Sequence, residues 1–240
     1  MKNQYLCERM TFMKKMKKFM GGRVLLLTGT IAPKNINVAE TILVDAEDRL
    51  HQYEQAIDNY IRHTCLSKIV FVENSGYMFD VAKFDVLAKQ YNKQFEYIYV
   101  DIPNYKTEKN EKQYGELILI WEGIQRSLLI KDEDVVYKCT GRVFCSNVDQ
   151  IVNDEKCFGV IAKNRSNQVL TSFIKIYKPD FLSYFSDTME INFNIEKTYY
   201  QNIKDNHIET ECFSQYPQLH GIHGSSNKPY QLSFIGVFQK

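Results

Sequence analysis

The stretch RVLLLTGTI (residues 23–31) is a run of apolar side chains that ends in Thr28, Gly29 and Thr30. A short apolar run closed by small residues is typical of a strand buried on both faces of a parallel sheet. Further apolar runs lie at 67–77, 95–103 and 134–144, separated by segments with helical periodicity. This alternation of strands and helices predicts an α/β fold with a mainly parallel central sheet flanked by helices.

Three amphipathic helices are predicted between these strands, over 42–61, 80–91 and 114–129. The third has the clearest apolar face, because its large side chains recur at i, i+3, i+4 and i+7. These side chains are Tyr114, Leu117, Ile118, Trp121, Ile124 and Leu128. Beyond residue 145 the pattern is mixed, and it predicts strands over 157–164 and 171–178, short helices over 181–185 and 195–203, and a last apolar stretch over 231–238.

Length and charge distribution indicate one domain with a short appendage. The chain has 240 residues, which suits a single domain, and we assign residues 21–240 to it. Residues 1–20 form a basic extension in which four lysines alternate with Met and Phe. Such a segment is either a solvated helical extension or a weak adhesion site for an anionic membrane surface.

Composition argues against several classes of protein. Thirty basic and 29 acidic residues give a net charge of +1, whereas a general nucleic-acid binder is usually far more basic. No run approaches the roughly 18 apolar residues of a membrane-spanning helix, and the amino terminus lacks the apolar core of a secretory signal. Six cysteines without a C-x-x-C pair predict free thiols in a reducing compartment, so we expect a cytoplasmic location.

The carboxyl ends of the predicted strands carry the residues best suited to chemistry. No G-x-G-x-x-G follows the first strand and no P-loop sequence is present, so the usual glycine-rich phosphate cradles are missing. Ligands of open α/β sheets bind beyond the carboxyl ends of the strands. Here those ends are Thr28–Thr30, Glu73–Gly76, Asp101 and Thr140–Arg142, and we expect them to converge on one site.

The fourth predicted strand, DVVYKCTGR (134–142), places positive charge in an apolar context. Strand alternation predicts Lys138, Thr140 and Arg142 on one side. A lysine within a buried strand is costly unless it meets an anion, and an arginine beyond the strand end can hold two phosphate oxygens. Two interpretations fit this pattern: structural pairing with nearby carboxylates, or neutralisation of a phosphate or diphosphate.

Two glutamates are candidates for acid–base chemistry. Glu116 begins the clearest helix, where the helix dipole alone favours an acid; a carboxylate that holds a sugar hydroxyl is the alternative. Glu196 lies in NIEKTYYQNI (194–203), either as a surface acid or, if that helix borders the site, as a general base. The D-x-D spacing of Asp132–Asp134 precedes its strand, which predicts a solvated turn rather than a metal site.

The loop HGIHGSSNKPY (220–230) contains Gly224, Ser225 and Lys228. A loop of this kind exposes backbone N–H groups and a cation, which suits an anion, but an ordinary surface turn has the same composition. His220 and His223 have no carboxylate at a spacing that would complete a metal site.

In this order the segments resemble small bacterial glycosyltransferases of capsule and lipopolysaccharide biosynthesis, which have a GT-A-like nucleotide-sugar-binding fold. The most distinctive pieces are ENSGY (73–77) and the K-x-T-G-R strand (138–142). The full set is LLLTGTI (25–31), IVFVENSGY (69–77), KQYGELILIWEGI (112–124), YKCTGR (137–142), NIEKTYY (194–200) and HGIHGSSNKPY (220–230).

The resemblance implies a hexosyltransferase that moves a sugar from a nucleotide donor, expected to be a UDP-sugar, onto a surface-polysaccharide acceptor. The acceptor would be a glycan or lipid-linked glycan, and the enzyme would work in the cytoplasm or peripherally at the inner membrane. Carried over, Thr28, Gly29 and Thr30 line the nucleotide, Glu73 and Asn74 lie near its base or ribose, Lys138, Thr140 and Arg142 lie by the diphosphate, and Gly224 and Ser225 close over it. Glu196 is the candidate base, and Arg142 and Glu116 are the other catalytic candidates.

The sequence departs from this family at two points. No D-x-D follows the strand, so we expect no metal cofactor, although a divalent ion remains an alternative. His223 stands where a small hydroxyl residue is expected. Two other functions stay open: a nucleotidyltransferase, which needs clustered carboxylates for two metal ions, and a non-catalytic nucleotide- or glycan-binding module using aromatics such as Tyr105 and Tyr230.

Overall fold

The computed structural model describes residues 21–33, 45–102, 111–153, 163–164, 168–169, 171–184, 195–207, 213, 215–222 and 229. Its central sheet consists of β1 (Arg23–Gly29), β2 (Lys68–Glu73), β3 (Gln94–Tyr99), β4 (Val135–Thr140) and β8 (Phe173–Tyr177). The strand order is β3-β2-β1-β4-β8. All neighbours are parallel except β8, which runs antiparallel to β4. The predicted mainly parallel α/β sheet is confirmed.

Six helices and four short strands complete the described elements. The helices are α1 (Ala46–His63), α2 (Ala82–Gln90), α3 (Glu111–Arg126), α4 (Val148–Val152), α5 (Lys178–Tyr184) and α6 (Ile195–Asp205). The short strands form two antiparallel pairs, β5 (Phe144–Cys145) with β9 (Leu219–His220), and β6 (Lys163–Asn164) with β7 (Gln168–Val169). Helix α1 begins after Asp45, whose carboxylate accepts a hydrogen bond from the Asp48 N–H at 2.9 Å, as a good N-cap does.

Two apolar layers cover the two faces of the sheet. Val24 and Leu26 of β1 join the layer formed with α3, α5 and α6, whereas Leu25 and Leu27 join the layer formed with α1 and α2. All four side chains are wholly buried. The unbroken apolar run of β1 is therefore explained by its central position, since a strand covered on both faces has no solvent side.

The order of the strands creates a switch point between β1 and β4. The chain runs outward from β1 through β2 to β3 and then returns to the other side of β1 with β4. In open α/β sheets, ligands bind at the carboxyl ends of the strands where the order reverses in this way. The Gly141 N–H donates to the Thr28 carbonyl at 2.8 Å and joins the two strand ends. A Cβ at Gly141 would lie 2.8 Å from that oxygen, so this close approach requires glycine.

The third helix ends earlier than the sequence predicts. It stops at Arg126, and Leu128, expected on its buried face, is 77% exposed. The cause is Glu96 of β3, whose carboxylate accepts hydrogen bonds from the Ser127 hydroxyl at 2.6 Å and the Leu128 N–H at 2.9 Å. These bonds redirect the chain away from the helix axis.

Asp134 also differs from its prediction as part of a solvated turn. It is 2% exposed, and its carboxylate accepts hydrogen bonds from the Gly22 N–H at 2.7 Å, the Lys131 N–H at 3.0 Å and the Lys68 ammonium at 2.9 Å. These contacts tie together the amino ends of β1, β2 and β4. Asp134 therefore lies at the amino ends of the parallel strands, opposite to the carboxyl ends of β1 and β4 that flank the switch point.

Several sequence predictions fall outside the described residues. They include the basic extension 1–20, the loop residues Gly224 and Ser225, the aromatics Tyr105 and Tyr230, and the apolar stretch 231–238. Within the described part of the chain, no helix combines the length and the apolar character needed to cross a membrane. Cys65, Cys139 and Cys145 are free thiols.

Candidate functional site

The loops that follow β1 and β2 are hydrogen-bonded to each other at the carboxyl ends of these strands. The Thr30 hydroxyl donates to the Asn74 side-chain oxygen at 2.6 Å, and the Ala32 N–H donates to the Ser75 hydroxyl at 3.1 Å. Asn74 also faces the start of α3, since a Cβ on Gly115 would lie 3.7 Å from its amide nitrogen. The structure thus brings Thr30 and Asn74 together, as the sequence predicts for two neighbouring strand ends.

Glu73 holds these two loops together through hydrogen bonds to its carboxylate. It is wholly buried, and its carboxylate accepts hydrogen bonds from the Ile31 N–H at 2.9 Å, the Gly76 N–H at 3.0 Å, and both the N–H and the hydroxyl of Ser75. Gly76 has φ of +67°, a left-handed conformation that favours glycine. Because backbone and serine donors occupy its oxygens, Glu73 shapes the site; its contact with a base or ribose stays a prediction.

A buried lysine connects the two candidate glutamates. Lys138 is wholly buried, forms an ion pair with Glu116 and donates to the Thr171 carbonyl at 2.5 Å. The Thr171 N–H in turn donates to Glu196 Oε1 at 3.3 Å. We call Glu116, Lys138, Thr171 and Glu196 the lysine cluster. The sequence singled out three of its four members, but it did not show that Lys138 already has a carboxylate partner.

The surroundings of Glu196 raise the pKa of its carboxyl group. Burial is the main cause, and the negative charge of Glu116 acts in the same direction, while the Thr171 N–H and the Lys138 ammonium oppose them. A carboxylate with a raised pKa holds a proton more readily, as a general base must. Glu196 lies in the first turn of α6, against the loop before β8. It is therefore near the carboxyl ends of the parallel strands.

Arg142 lies on the opposite side of the sheet from Lys138, so the prediction that they share one side is wrong. Strand β4 ends at Thr140, and the Val143 N–H donates to the Thr140 carbonyl at 2.9 Å, closing a turn. Alternation holds only along an extended strand, and this turn sends Arg142 towards α1. Its Nη1 donates to Gln52 Oε1 at 2.9 Å, whereas Lys138 meets Glu116 of α3.

The guanidinium of Arg142 is buried beside a neutral partner. The residue is 6% exposed, its Nε atom has no hydrogen-bond partner, and it forms no ion pair with any carboxylate among the described residues. A buried charge is normally paired or fully hydrogen-bonded. Arg142 therefore places a positive charge at the switch point between β1 and β4, with no carboxylate partner among the described residues and with its Nε atom unpaired.

Two residues of α1 belong to this part of the site and were not singled out by the sequence analysis. The hydroxyl of Tyr53 accepts a hydrogen bond from the Thr30 N–H at 2.9 Å. Arg49 Nε donates to the Thr30 and Ile31 carbonyls at 2.8 and 3.0 Å. Only the i, i+4 spacing of Arg49 and Tyr53 on the helix after β1 could have drawn attention to them, because their contacts depend on tertiary structure.

The first strand end is closely packed against Tyr53. A Cβ on Gly29 would lie 2.7 Å from Tyr53 Cε1 and 2.7 Å from Phe71 Cε2, so glycine is needed for contact with these rings. Thr28 is 5% exposed and Thr140 is bonded through its N–H to the Ser172 carbonyl at 3.1 Å. These residues form the bottom of the candidate site, at the carboxyl ends of β1 and β4. Across the described ranges, no group of three or more His, Cys, Asp or Glu side chains is arranged to hold a metal ion.

Comparisons with known proteins give structural likeness only. No protein-family model and no curated protein matches the chain. Solved structures that match include a putative glucose-1-phosphate thymidylyltransferase from Bacillus anthracis (TM-score 0.41, 9% identity, covering 83% of this chain and 89% of that one). HddC from Yersinia pseudotuberculosis matches with a TM-score of 0.36, 13% identity and coverage of 78% and 100%. A nucleoside-diphosphate-sugar pyrophosphorylase from Vibrio cholerae matches with a TM-score of 0.39, 12% identity and coverage of 76% and 88%. Likenesses of this strength say nothing of what this chain binds.

Proposed function

We propose that this protein is a glycosyltransferase of the GT-A-like kind, which moves a sugar from a UDP-sugar onto a glycan or lipid-linked glycan. The observation that carries the proposal is the buried guanidinium of Arg142 at the switch point, whose only hydrogen-bond partner in the described part of the chain is the neutral Gln52. A diphosphate would supply the negative charge that this cation lacks.

The donor nucleotide would lie over the ends of β1 and β2. Asn74 would lie near its base or ribose, Thr30 would line the nucleotide beside it, and Thr28, Gly29 and Thr140 would lie beneath it. Glu73 and Lys138 would act through the protein rather than on the ligand, because Glu73 accepts four hydrogen bonds from the loops and Lys138 pairs with Glu116. Gly224 and Ser225 keep their proposed place as a cover over the diphosphate.

The chemistry would be a direct displacement. Glu196 takes the proton from an acceptor hydroxyl, the acceptor oxygen forms a bond to the anomeric carbon of the donor sugar, and the bond from that carbon to the diphosphate oxygen breaks. Negative charge then grows on the departing UDP, where Arg142 stabilises it more in the transition state than in the ground state. Glu116 and Lys138 fix Thr171, whose N–H orients Glu196.

The proposal is tested by incubating the full chain with a panel of UDP-sugars and glycan acceptors, with and without EDTA, and measuring UDP release. Arg142→Ala should lower turnover by roughly a hundredfold or more, the usual cost of removing a group that stabilises developing charge. The matched control is Arg126→Ala, which removes an arginine whose side chain is 51% exposed on α3 and should leave turnover unchanged.

Three outcomes would contradict the assignment. Full activity of Arg142→Ala would remove the cation from the mechanism. Release of pyrophosphate from a nucleoside triphosphate and a sugar 1-phosphate, without UDP release from any UDP-sugar, would assign the site to a nucleotidyltransferase. Tight binding of UDP without turnover on any acceptor would indicate a binding module.

A further inference from the structure

The backbone around Tyr216 is fixed beside the carboxyl end of β4. The side chain of Asn147, which is 5% exposed, donates to the Tyr216 carbonyl at 3.0 Å and accepts from the Gln218 N–H at 2.8 Å. Further along the same segment, a Cβ on Gly221 would lie 2.7 Å from the Arg142 carbonyl oxygen. The segment that carries Tyr216 therefore packs against the turn that carries Arg142.

The ring of Tyr216 takes no part in these contacts. The residue is 46% exposed, and its side chain forms no hydrogen bond or ring contact with any residue in the described part of the chain. A tyrosine offers a large contact area at a low cost in conformational entropy. Held by its backbone alone, this ring is preorganised to contact a ligand.

Glu196 is a neighbour of this exposed ring. Burial raises the pKa of the Tyr216 hydroxyl, and the negative charge of Glu196 adds to the increase, so the two side chains are close. Ring packing gives the same placement: Phe213 lies against Phe173, with 5.6 Å between ring centres. Thr171, two residues before Phe173, donates its N–H to Glu196 at 3.3 Å. The fold thus brings an exposed aromatic ring to the candidate base.

The charges beside Tyr216 favour a neutral ligand over an anionic one. Lys138 is wholly buried and paired with Glu116, so these two residues have no net charge together. Within the described ranges Glu196 forms no ion pair, and it is negative whenever it is ionised. A phosphate would be repelled by this carboxylate and is already ionised at neutral pH, whereas a hydroxyl group needs a base.

We propose that Tyr216 is an acceptor-binding residue whose ring stacks on a pyranose of the acceptor and presents a hydroxyl of that sugar to Glu196. The inference rests on the proposed function, and it specifies the reacting group as a sugar hydroxyl rather than a lipid phosphate. The C–H face of a pyranose is apolar and covers an aromatic ring, while the hydroxyl groups stay at its rim. Asn147 is the positioning residue that holds the backbone beneath this ring.

The first test is a saturation-transfer NMR titration of the full chain with the methyl β-glycosides of glucose, galactose and N-acetylglucosamine. Sorbitol, an open-chain polyol, serves as the probe without a ring. We expect at least one glycoside to bind and sorbitol not to bind. Tyr216→Ala should lower the glycoside affinity by about tenfold, whereas Tyr216→Phe keeps the ring and should bind as the wild type does. Calorimetric titration with UDP should give the same affinity for all three proteins.

Tyr91→Ala is the matched control, because Tyr91 is 41% exposed and lies at the end of α2, before the amino end of β3. It should leave glycoside binding unchanged. All variants should unfold at the wild-type urea concentration, since the fold uses the Tyr216 carbonyl and not its ring. In transfer assays, Tyr216→Ala should raise the KM for the acceptor about tenfold and leave the KM for the donor unchanged.

Several results would overturn the inference: no binding of any glycoside, equal glycoside binding in Tyr216→Ala and the wild type, or transfer of the sugar onto a lipid phosphate. An equal loss in Tyr216→Phe and Tyr216→Ala would assign the effect to the hydroxyl and overturn ring stacking. Glycoside binding that depends on the Tyr216 ring, without sugar transfer, would keep Tyr216 as a pyranose-binding residue and refute only the transferase. Sugar transfer with an unchanged acceptor KM in Tyr216→Ala would do the reverse.

Discussion

Glu196 shows how burial changes the proton affinity of a single side chain. It accepts one hydrogen bond from the Thr171 N–H at 3.3 Å, while burial and the charge of Glu116 raise the pKa of its carboxyl group. The ordinary glutamate pKa is about 4.3, so the folded protein releases this proton at a higher pH than the unfolded chain does. Two consequences, one for stability and one for rate, follow from this difference.

The stability consequence is that the difference in unfolding free energy between the wild type and Glu196→Gln should change with pH. Between the unfolded and the raised folded pKa the native wild type binds more protons, so its free energy of unfolding falls as pH rises. The glutamine cannot ionise, and Glu196→Gln should therefore gain stability relative to the wild type between about pH 4 and neutrality. Urea unfolding at several pH values measures the difference. A difference that stays constant with pH would show that the pKa of Glu196 is not raised.

The rate consequence concerns the proposed transfer. A general base must be ionised, so kcat/KM should rise with pH through the raised pKa of Glu196 instead of levelling off near the ordinary glutamate value. Glu196→Gln should lose at least about a hundredfold in turnover, in the usual range for a general base, with little change in UDP affinity. Unchanged turnover in this variant would remove Glu196 as the base.

At the scale of elements, the lysine cluster joins β4 to α3 and to the loop before β8. The two ends of its ion pair differ in burial: the Lys138 side chain is 0% exposed and that of Glu116 is 24% exposed. A charge left alone in the interior is costly, whereas one that reaches water is partly solvated. The two partners should therefore not be equivalent in mutagenesis.

This asymmetry predicts a specific double-mutant cycle. Glu116→Gln leaves the wholly buried lysine without its carboxylate partner and should cost about 3–5 kcal/mol of unfolding free energy. Lys138→Met should cost less, because the Glu116 carboxylate reaches solvent. The double variant should cost less than the sum of the two by about 1–3 kcal/mol. Denaturant unfolding gives all three values. As a control, the Lys89–Asp85 pair, with side chains 72% and 47% exposed, should couple by less than about 0.5 kcal/mol. Equal and additive losses at Lys138 and Glu116 would contradict the asymmetry.

At the scale of the whole molecule, the sequence predicted a mainly parallel sheet because apolar strand runs alternate with segments of helical periodicity. It did not predict the spatial order β3-β2-β1-β4-β8, which depends on contacts between distant parts of the chain. It could also place Thr30, Asn74 and Arg142 at strand ends. It could not show which side of the sheet Arg142 takes, since a turn after Thr140 breaks the alternation. Nor could it identify Tyr53 as more than an apolar helix position, because the contacts of Tyr53 with Thr30 and Arg142 join distant parts of the chain.

Asp134 lies at the amino ends of the parallel strands, whereas the proposed binding site lies at their carboxyl ends, so the contribution of Asp134 to stability can be measured apart from binding. Burial alone would raise the pKa of this carboxyl group, but hydrogen bonds from Lys131, Lys68 and Gly22 outweigh it and hold the pKa below its ordinary value. A lowered pKa gives stability that is present above the unfolded value of about 3.9 and is lost as pH falls through the folded value. Asp134→Asn should therefore cost about 1–3 kcal/mol at neutral pH, and the gap to the wild type should narrow below about pH 4.

We expect Asp134→Asn to lower stability without changing pyrophosphate binding. Asp134 lies at the amino ends of β1 and β4, whereas Arg142 and Tyr53 lie at the carboxyl ends, so Asp134→Asn should bind pyrophosphate as the wild type does while it unfolds at lower urea concentration. The neighbouring Asp132→Asn is the control, since the Asp132 side chain is 79% exposed in its 3.3 Å pair with Lys178 and should change stability by less than about 0.5 kcal/mol. A stability loss in Asp134→Asn that does not vary with pH would argue against the lowered pKa. Weakened pyrophosphate binding in the same folded variant would show that the two ends of the strands are coupled, and that positive charge at the switch point does not act alone.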